Sequence, residues 1–282
     1  MGWALGAALV WLLGVWPPPS WWRHHWPTQT AMMRHESGSS GVSGPATYRP
    51  TALTAMPAVL QRMVIIGEDS RFHTHHGLDF DEIKDALGLE RAAGLGTTLR
   101  ALWSRRDRLR GASTITQQLA KNLYLSPSRN PLRKMKEAVT ALRFELALPK
   151  DRILELYLNV VELGPGMWGM PDASARYFGM PVDQLGEEQA AALAATLPFP
   201  LSSNPAFRSD RMLRRRDLIL ARYHGADVYV PPGELVQLDT LMIPAITPPI
   251  IPPVIDTLRA DSVMVPVTES LPDTAKQKTD ST

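Results

Sequence analysis

Cysteine is absent from the 282-residue chain. Its absence excludes a disulfide framework, a zinc site with cysteine ligands and catalysis by a thiol group. A strong net charge is also lacking, but residues 91–152 hold 14 Lys and Arg against 4 Asp and Glu, which leaves 16 basic and 24 acidic residues elsewhere. This basic block favours a phosphorylated partner or an anionic membrane surface, although a solvated helical face would explain the charge equally well.

A hydrophobic run of full membrane-spanning length is also lacking. Residues 2–16 are apolar without interruption, whereas a helix that crosses the bilayer needs roughly 20 residues. Trp21, Trp22 and Trp26 would extend the run into an interfacial belt of aromatic side chains. No basic stretch precedes the run and no clear small-x-small site follows it, which favours an uncleaved anchor over a cleaved signal peptide. We therefore predict that residues 1–26 form an N-terminal transmembrane anchor.

Runs of alternating apolar and polar residues, the pattern of strands, are missing as well. Three segments, MPAVLQRMVIIGE, LRKMKEAVTALRFELAL and DRILELYLNVVEL, instead place apolar residues at intervals of three and four, which predicts helices. Asn130 followed by Pro131 is typical of a helix start, and Asp151 can cap the next helix. Gly186 opens an Ala-rich helix that stops at Pro198. The expected fold class is all-α.

Composition divides the chain into four parts, the first of which is the predicted anchor. Residues 27–49 are rich in Gly and Ser towards their end, and we predict a flexible linker there. Residues 50–225 carry the helical patterns and predict the folded domain. Residues 226–282 contain IPAITPPIIPPVI and a polar end, which predict an extended or disordered tail.

Two adjacent carboxylates, Glu68 and Asp69, begin the first segment whose residues could take part in catalysis, EDSRFHTHHGLD. They follow the apolar stretch MVIIG, so one of them could be half-buried, and burial raises the pKa of a carboxyl group towards the range of a general base. Phe72 and Gly77 suggest a tight turn that frames this carboxylate. On its own, the segment is more typical of an ordinary helix end with a pair of surface acids.

A loop of small residues opens a helix in the second segment, GASTITQQLAKN. Either Ser113 or Thr114 can cap this helix, and the N–H groups of a helix start suit an anion such as a pyrophosphate. A plain capped helix is the simpler interpretation of the loop alone. Gln117 and Gln118 favour a ligand, because sugar hydroxyls need such donors and acceptors.

Basic residues surround one carboxylate in the third segment, where Arg133 and Lys134 precede Glu137 by four and three residues. This spacing places all three on one helix face, which is also what a surface salt bridge would require. Lys121 and Arg129 lie nearby in the sequence, so four cations could converge around Glu137.

The fourth segment, KDRILELYLN, is mostly aliphatic and predicts core positions. Glu155 and Asn159 share a face of this helix, and we expect them to orient the site from behind. Three histidines at positions 73, 75 and 76 invite a metal-binding interpretation, but their spacing matches no zinc pattern. We therefore expect no metal cage built from protein ligands.

Taken together, in this order and spacing, the four segments resemble the family-51 glycosyltransferases, the peptidoglycan polymerases. The motifs EDSRFHTHHGLD, GASTITQQLAKNLYL, RKMKE and KDRILELYLN carry the resemblance, which covers roughly residues 50–210. No Ser-x-x-Lys with a Lys-Thr-Gly partner occurs, so the chain is similar to the monofunctional members that lack a transpeptidase domain.

The resemblance implies a lysozyme-like helical domain with a small lobe that dips into the bilayer. Residues 87–110 fall where that lobe is expected, and they combine Leu and Trp103 with Arg100, Arg105, Arg106, Arg108 and Arg110, as a segment facing anionic lipid would. The family also implies a single-pass protein of the bacterial cytoplasmic (inner) membrane, with the catalytic domain on its periplasmic side.

The resemblance further implies the reaction. Lipid II is polymerised into β-1,4-linked glycan with one inversion at the donor anomeric carbon, and undecaprenyl diphosphate is released. The family assigns the general base to Glu68 and a second essential carboxylate to Glu137, which would organise cations or a divalent ion. The expected ligands of sugar and pyrophosphate are Ser113, Gln117, Gln118, Lys121, Arg129, Arg133 and Lys134. The expected supporting residues are Asp69, Phe72, His75, Glu155 and Asn159.

Cofactors and partners follow from the same resemblance. Mg²⁺ or Mn²⁺ is expected only with the substrate pyrophosphate, and no organic cofactor is expected. The partners would be lipid II, the growing glycan strand, the membrane and proteins of cell-wall synthesis or division, without nucleic acid.

Two other functions compete with polymerisation. A lysozyme or lytic transglycosylase would cleave glycan with an acid carboxylate but has no use for a pyrophosphate-binding cation cluster. A catalytically inactive membrane-tethered scaffold would not need to keep Glu68, Glu137 and the cations together. The sequence therefore favours synthesis.

Overall fold

The computed structural model describes residues 2–40, 49–87, 113–127 and 130–231. These residues form ten α-helices and one short hairpin. The helices are α1 (Gly2–Leu13), α2 (Ala31–Ser40), α3 (Ala58–Glu68), α4 (Phe80–Leu87), α5 (Ile115–Tyr124), α6 (Pro131–Ala147), α7 (Lys150–Val160), α8 (Met170–Phe178), α9 (Glu187–Thr196) and α10 (Asp210–Tyr223). Short 3₁₀ turns occupy Pro19–Arg23, Leu53–Ala55 and Val182–Gln184.

The expectation of a purely helical fold needs one correction. Strands β1 (Glu162–Gly164) and β2 (Met167–Trp168) pair antiparallel between α7 and α8. They are too short to show alternation in the sequence, and the turn between them is formed by Gly164-Pro165-Gly166, with Gly166 at a φ of 63°. The fold is therefore mostly helical, with a small hairpin.

The Ala-rich helix α9 lies at the centre of the core. It contacts α3, α8 and α10, and residues 190–196 are all buried. Small side chains let neighbouring helices approach closely at high packing density. Helix α5 packs separately against α6 and α7. Three helices that carry candidate site residues, α3, α5 and α6, are thereby held by buried contacts on a rigid framework.

Sequence-based helix starts are right for α6 and α9 but wrong for α7. Asn130 caps α6 by accepting a hydrogen bond from Leu132 N, and Pro131 occupies the first helical position. Helix α9 begins after Gly186. Asp151 does not cap α7, because Pro149 occupies the N-cap position and Asp151 lies inside the first turn. There its negative charge still complements the helix dipole.

Part of the predicted anchor, residues 1–26, packs in the folded domain. Among the described residues, no helix combines the length and the apolar character needed to cross a membrane. Trp22 is 7% exposed and belongs to the core, so the expected interfacial belt is wrong for this tryptophan. Its indole nitrogen donates to Tyr124 Oη at 2.5 Å, and the Tyr124 hydroxyl donates to the carbonyl of Pro17 at 2.6 Å. Residues 17–26 thus belong to the folded domain.

We predict that Trp22→Ala lowers the free energy of unfolding by about 3–5 kcal/mol, since it removes a large buried side chain and the hydrogen bond from its indole to Tyr124. Urea denaturation followed by circular dichroism measures this change. The matched control is Trp21→Ala, because Trp21 is 47% exposed on the same turn. Similar losses for both variants would contradict the core assignment of Trp22.

Helix α2 corrects the predicted linker. Residues 31–40 are helical, and the helix packs on α5 with Met33 buried in the contact. The start is fixed by Thr30, whose hydroxyl oxygen accepts a hydrogen bond from Met33 N at 3.1 Å. The Gly and Ser content of residues 37–40 suggests flexibility and hides both the Thr30 cap and the buried Met33. The rest of the linker is described at its two ends, and residues 41–48 lie outside the described residues.

The predicted tail also begins too early. Residues 226–231 return to the domain, where Val230 and Pro231 are buried. The remainder of the tail, residues 232–282, lies outside the described residues, as does the expected membrane-dipping lobe after Leu87.

Candidate active site

Glu68 is the last residue of α3, and its side chain is 9% exposed. The buried face of α3, formed by Leu60, Met63, Val64 and Gly67, holds this end of the helix against the core. Gly67 is needed for the close approach of α10, since a Cβ atom there would lie 3.1 Å from Cδ1 of Ile219. The backbone at the end of α3 therefore packs directly against the side chains of Ile219 and Arg215 on α10.

Both carboxylate oxygens of Glu68 are engaged. Oε1 lies 3.1 Å from Nη2 of Arg215, and Oε2 accepts a hydrogen bond from Nε2 of Gln118 at 2.9 Å. The other end of the Gln118 amide accepts from the Tyr157 hydroxyl at 2.9 Å. Burial, together with Glu68, raises the pKa of Tyr157 well above its usual range, so the phenol remains a donor. Tyr157 thereby fixes which end of Gln118 faces Glu68.

Asp69 connects the end of α3 to the start of α5. Its buried carboxylate accepts from Ile115 N at 2.9 Å and lies 2.9 Å from Nε2 of His75. Because Gly77 N donates to Nδ1 of His75 at 3.2 Å, Nε2 carries the proton and donates to Asp69. Gly77 has a φ of 88°, a left-handed conformation that glycine adopts without strain.

Phe72 supports this turn from within the core. It is fully buried, with its ring edge-on to His75 at 6.3 Å between centroids. The ammonium of Lys150 lies 4.5 Å from the centre of the Phe72 ring. Four residues between Glu68 and Gly77 are exposed, but Asp69, Phe72 and His75 are buried, which excludes the interpretation as an ordinary helix end with a pair of surface acids.

Thr114, rather than Ser113, caps α5. Its hydroxyl accepts from Gln117 N, and the Gln117 side chain accepts from Thr114 N at 3.1 Å, which completes a capping box. The Gln117 amide oxygen is thus used inside the fold, and its predicted sugar contact stays a prediction. Ser113 points elsewhere, and its hydroxyl accepts a hydrogen bond from Lys134 Nζ at 2.7 Å.

Glu137 forms a second, separate cluster. It accepts from Arg133 Nη1 on Oε2 at 2.8 Å and from Lys134 Nζ on Oε1 at 2.5 Å. The Glu137 side chain is 3% exposed, so this is not the solvated salt bridge that the spacing alone would allow. The carboxylate holds two cations on one face of α6, beside Ser113.

Lys121 relates the two clusters electrostatically. It follows Gln118 by one helical turn on α5, and it interacts with Glu137 and also with Glu68. Burial lowers the pKa of Lys121, and the positive charges of Lys134 and Arg133 lower it further. The carboxylates of Glu137 and Glu68 oppose this shift. These interactions act at longer range, since none of the described residues forms a hydrogen bond or ion pair with the Lys121 ammonium group. Arg129, the fourth predicted cation, lies outside the described residues.

A third carboxyl group near Lys121 was not predicted. Glu162 of β1 interacts with Lys121 and with Glu36, whose carboxylate accepts from Gly166 N at 2.9 Å. Burial, with Glu36 adding to it, raises the pKa of Glu162 to about 7. At neutral pH Glu162 therefore carries less than a full negative charge beside Lys121.

Glu155 and Asn159 bind the backbone of the segment that precedes α3. Glu155 Oε1 accepts from Leu53 N at 2.7 Å, and Asn159 exchanges hydrogen bonds with both backbone groups of Thr51. They bind the segment that leads into α3 to α7. That they orient the site from behind stays a prediction, to which this role in fixing residues 51–53 is added.

Arg215 and the segment 226–231 were also missed. The sequence does carry one signal for Arg215, because it lies with Met212 and Ile219 at three- and four-residue spacing on the buried face of α10. An arginine in such a stripe requires a buried partner. Tyr229 and Val230 line the pocket beside Glu68, together with Ser113 and Thr114.

The residues do not fit a divalent ion held by the protein. Both Glu137 oxygens already accept hydrogen bonds from cations, and the positive charge of Lys121 is nearby. Within the described ranges, no group of three or more His, Asp or Glu side chains is arranged as a metal site. What the arrangement offers instead is a fixed carboxylate beside a pocket and a set of cations suited to an anionic group.

Comparison with known proteins gives consistent matches. The sequence model of the family described as Transglycosylase matches residues 44–224. The chain is 38% identical over 228 residues to a biosynthetic peptidoglycan transglycosylase of Azoarcus sp. (strain BH72), covering 80% of this chain and 93% of that protein. A protein of the same name from Janthinobacterium sp. (strain Marseille) is 37% identical over 73% of this chain and 85% of its own length. Penicillin-binding protein 1A of Escherichia coli (strain K12) is 43% identical over 61% of this chain and 19% of its own length.

Proposed function

The chain belongs to the transglycosylase family, which makes it a peptidoglycan glycosyltransferase, and we propose that Glu68 and the cations around Glu137 catalyse its reaction. The resemblance to the peptidoglycan polymerases is thereby confirmed, and lipid II and the glycan strand are the substrates that the family implies. The observation that supports the mechanism is the buried carboxylate of Glu68, which is hydrogen-bonded at both oxygens. Lys121 interacts electrostatically with this carboxylate and also with Glu137.

Glu68 is the general base of the proposed mechanism. The donor sugar is α-linked to a pyrophosphate and the product bond is β-1,4, so a single displacement inverts the anomeric carbon. Glu68 takes the proton of the acceptor 4-hydroxyl as that oxygen bonds to the anomeric carbon. The bond from this carbon to the pyrophosphate oxygen breaks, and its electron pair leaves with undecaprenyl diphosphate. Proton transfer of this kind contributes typically about 10²–10⁴-fold to the rate.

The cations stabilise the departing pyrophosphate. Lys121, Arg133 and Lys134 are in place before the reaction, with the Ser113 hydroxyl beside Lys134, so little reorganisation is needed when charge develops. Arg129 is the fourth proposed cation. Glu137 holds this set together and does not transfer protons, because both of its oxygens already accept from cations. Mg²⁺ or Mn²⁺, where required, would arrive with the substrate pyrophosphate.

Attachment to the bacterial cytoplasmic membrane is the remaining part of the proposal. We propose residues 2–16 as the apolar part of a single-pass anchor, with the catalytic domain on the periplasmic side and the lobe at 87–110 in contact with lipid. Supporting this, Trp3, Val10, Trp11 and Trp16 are exposed in or just after α1. Such a group of exposed apolar side chains is unusual on a surface that faces water.

The test is polymerisation of labelled lipid II by detergent-solubilised protein with Mg²⁺, resolved on a gel. A ladder of products that lysozyme digests is expected. Cleavage of intact glycan strands without a ladder would replace the proposal with the lytic function. Inactivity of folded protein on both substrates would indicate the inactive scaffold.

A further inference from the structure

Arg215 is a charged residue buried at the point where α10 meets the end of α3. Its side chain is 2% exposed and lies between Met212 and Ile219 on the apolar face of the helix. Removing a guanidinium from water is costly unless its N–H groups find acceptors. The acceptors here are Glu68 Oε1 and the backbone carbonyls of Gly67 and Pro231.

The distribution of these acceptors connects three parts of the chain. Nη2 donates to both the carbonyl of Gly67 and the carboxylate of Glu68, so one nitrogen fixes the main chain and the side chain at the end of α3. Nη1 donates to the Pro231 carbonyl. Because the guanidinium is planar, its donors keep fixed relative directions, and the three acceptors are held in register.

The segment 226–231 holds Arg215 in place from the other side. The chain turns at Gly225, which has a φ of 93°, and Arg222 Nη1 then donates to the carbonyl of Val228 at 3.2 Å. Val230 is buried, and Tyr229 and Val230 form part of the pocket wall beside Glu68. Residues beyond the last helix thus belong to the site.

Arg215 is too buried to bind the pyrophosphate itself. The cations assigned to that group lie on α5 and α6, whereas the two terminal nitrogens of Arg215 donate to Glu68 and to two backbone carbonyls, and its Nε is buried without a partner among the described residues. A carboxylate has about four lone-pair positions, and the described residues occupy one on each oxygen of Glu68. The positions left over are those through which a substrate hydroxyl could approach.

We propose that Arg215, clamped by residues 226–231, is the positioning residue that holds Glu68 in the orientation from which it accepts the acceptor's proton. This inference rests on the proposed function of Glu68 as the base. Without Arg215, Oε1 loses its partner and the carboxylate can rotate away from the reacting hydroxyl. A misplacement of about 1 Å can cost about 10²-fold in rate.

The experiment measures kcat and KM for lipid II with wild-type protein and with Arg215→Lys, Arg215→Ala and Arg216→Ala. Arg216 is the matched control, because it is the next residue on α10 but pairs with Asp217 and Glu188. Thermal melting by circular dichroism establishes that each variant is folded. Arg215→Ala is also assayed with millimolar guanidinium chloride, and with NaCl at the same ionic strength.

We expect kcat of Arg215→Ala to fall about 10²-fold, with KM within about twofold of wild type, because Arg215 does not touch the substrate. Arg215→Lys should lose about tenfold, since one ammonium cannot reproduce the fork of donors. Guanidinium should restore at least part of the Ala variant's kcat, whereas NaCl should not. Arg216→Ala should keep the wild-type kcat.

Three results would overturn the inference: wild-type kcat in the folded Arg215 variants, a loss confined to KM, or a kcat loss that guanidinium leaves unchanged. If Arg215→Ala does not melt cooperatively, Arg215→Lys decides, because it keeps the charge and most of the stem. Glu68→Gln is run alongside. Activity retained by Glu68→Gln refutes the base assignment, whereas unaffected Arg215 variants beside an inactive Glu68→Gln refute only the role of Arg215.

Discussion

Glu68→Gln should lower kcat for lipid II polymerisation by about 10²–10⁴-fold, which corresponds to about 3–5 kcal/mol of transition-state stabilisation. The amide is close in shape to the carboxylate but cannot accept the proton of the 4-hydroxyl. It can still accept a hydrogen bond from Arg215, so the end of α3 should remain in place. The rate is measured from the gel ladder in single time courses, and KM should change little.

The control for this variant is Glu188→Gln, an exposed carboxylate on α9 that pairs with Arg216. It should polymerise at the wild-type rate. If Glu68→Gln retains more than about a tenth of the wild-type kcat, Glu68 is not the base. Asp69 would not then replace it readily, because its carboxylate already accepts from Ile115 N and His75.

Glu137→Gln should lower kcat by about 10²–10³-fold, a loss similar to that from removing one preorganised charge-stabilising group. Glutamine keeps the shape of Glu137 but removes the charge that holds Arg133 and Lys134 side by side on α6. The two cations then repel each other, and Lys134 is half-exposed and able to turn away. The pyrophosphate would meet cations that are no longer arranged in advance.

Glu145→Gln provides the matched control for Glu137→Gln. It lies on the same helix, is similarly buried, and pairs with Lys150 and Thr116, away from the proposed pyrophosphate site. The two variants should show comparable changes in melting temperature. Equal losses of activity in both would mean that Glu137 acts through the stability of α6 and not through the cations.

Local features of this fold were predictable, and distant pairings were not. Asn130-Pro131 and Gly186 mark helix starts because a cap involves neighbours in sequence. Arg133 and Glu137 could be paired from their four-residue spacing. Arg215 and Glu68 are 147 residues apart, and nothing in either local pattern says which buried partner each will find.

Composition was misleading where one contact decides the structure. Residues 31–40 resemble a linker, yet the Thr30 cap and the burial of Met33 are sufficient for a helix on the surface of α5. Trp22 resembles a membrane-interface residue because an indole ring suits a membrane interface. It also suits a protein core that offers one hydrogen-bond acceptor to its N–H group. The acceptor is Tyr124, and only the folded chain brings it within reach.

The attachment of α1 to α6 joins the end of the N-terminal apolar segment to the helix that carries the cation cluster. Lys136 donates to the carbonyl of Gly14 at 2.9 Å, and Arg143 donates to that of Leu13, so the end of α1 is tied to the same helix that carries Glu137. Lys136 and Glu137 are consecutive, a rise of only about 1.5 Å along the axis. In the proposed anchoring by residues 2–16, the path from the anchor to Glu137 and its cations would therefore be short and set by the fold. The cation cluster would be held at a set distance from the end of the anchor, without a flexible tether between them.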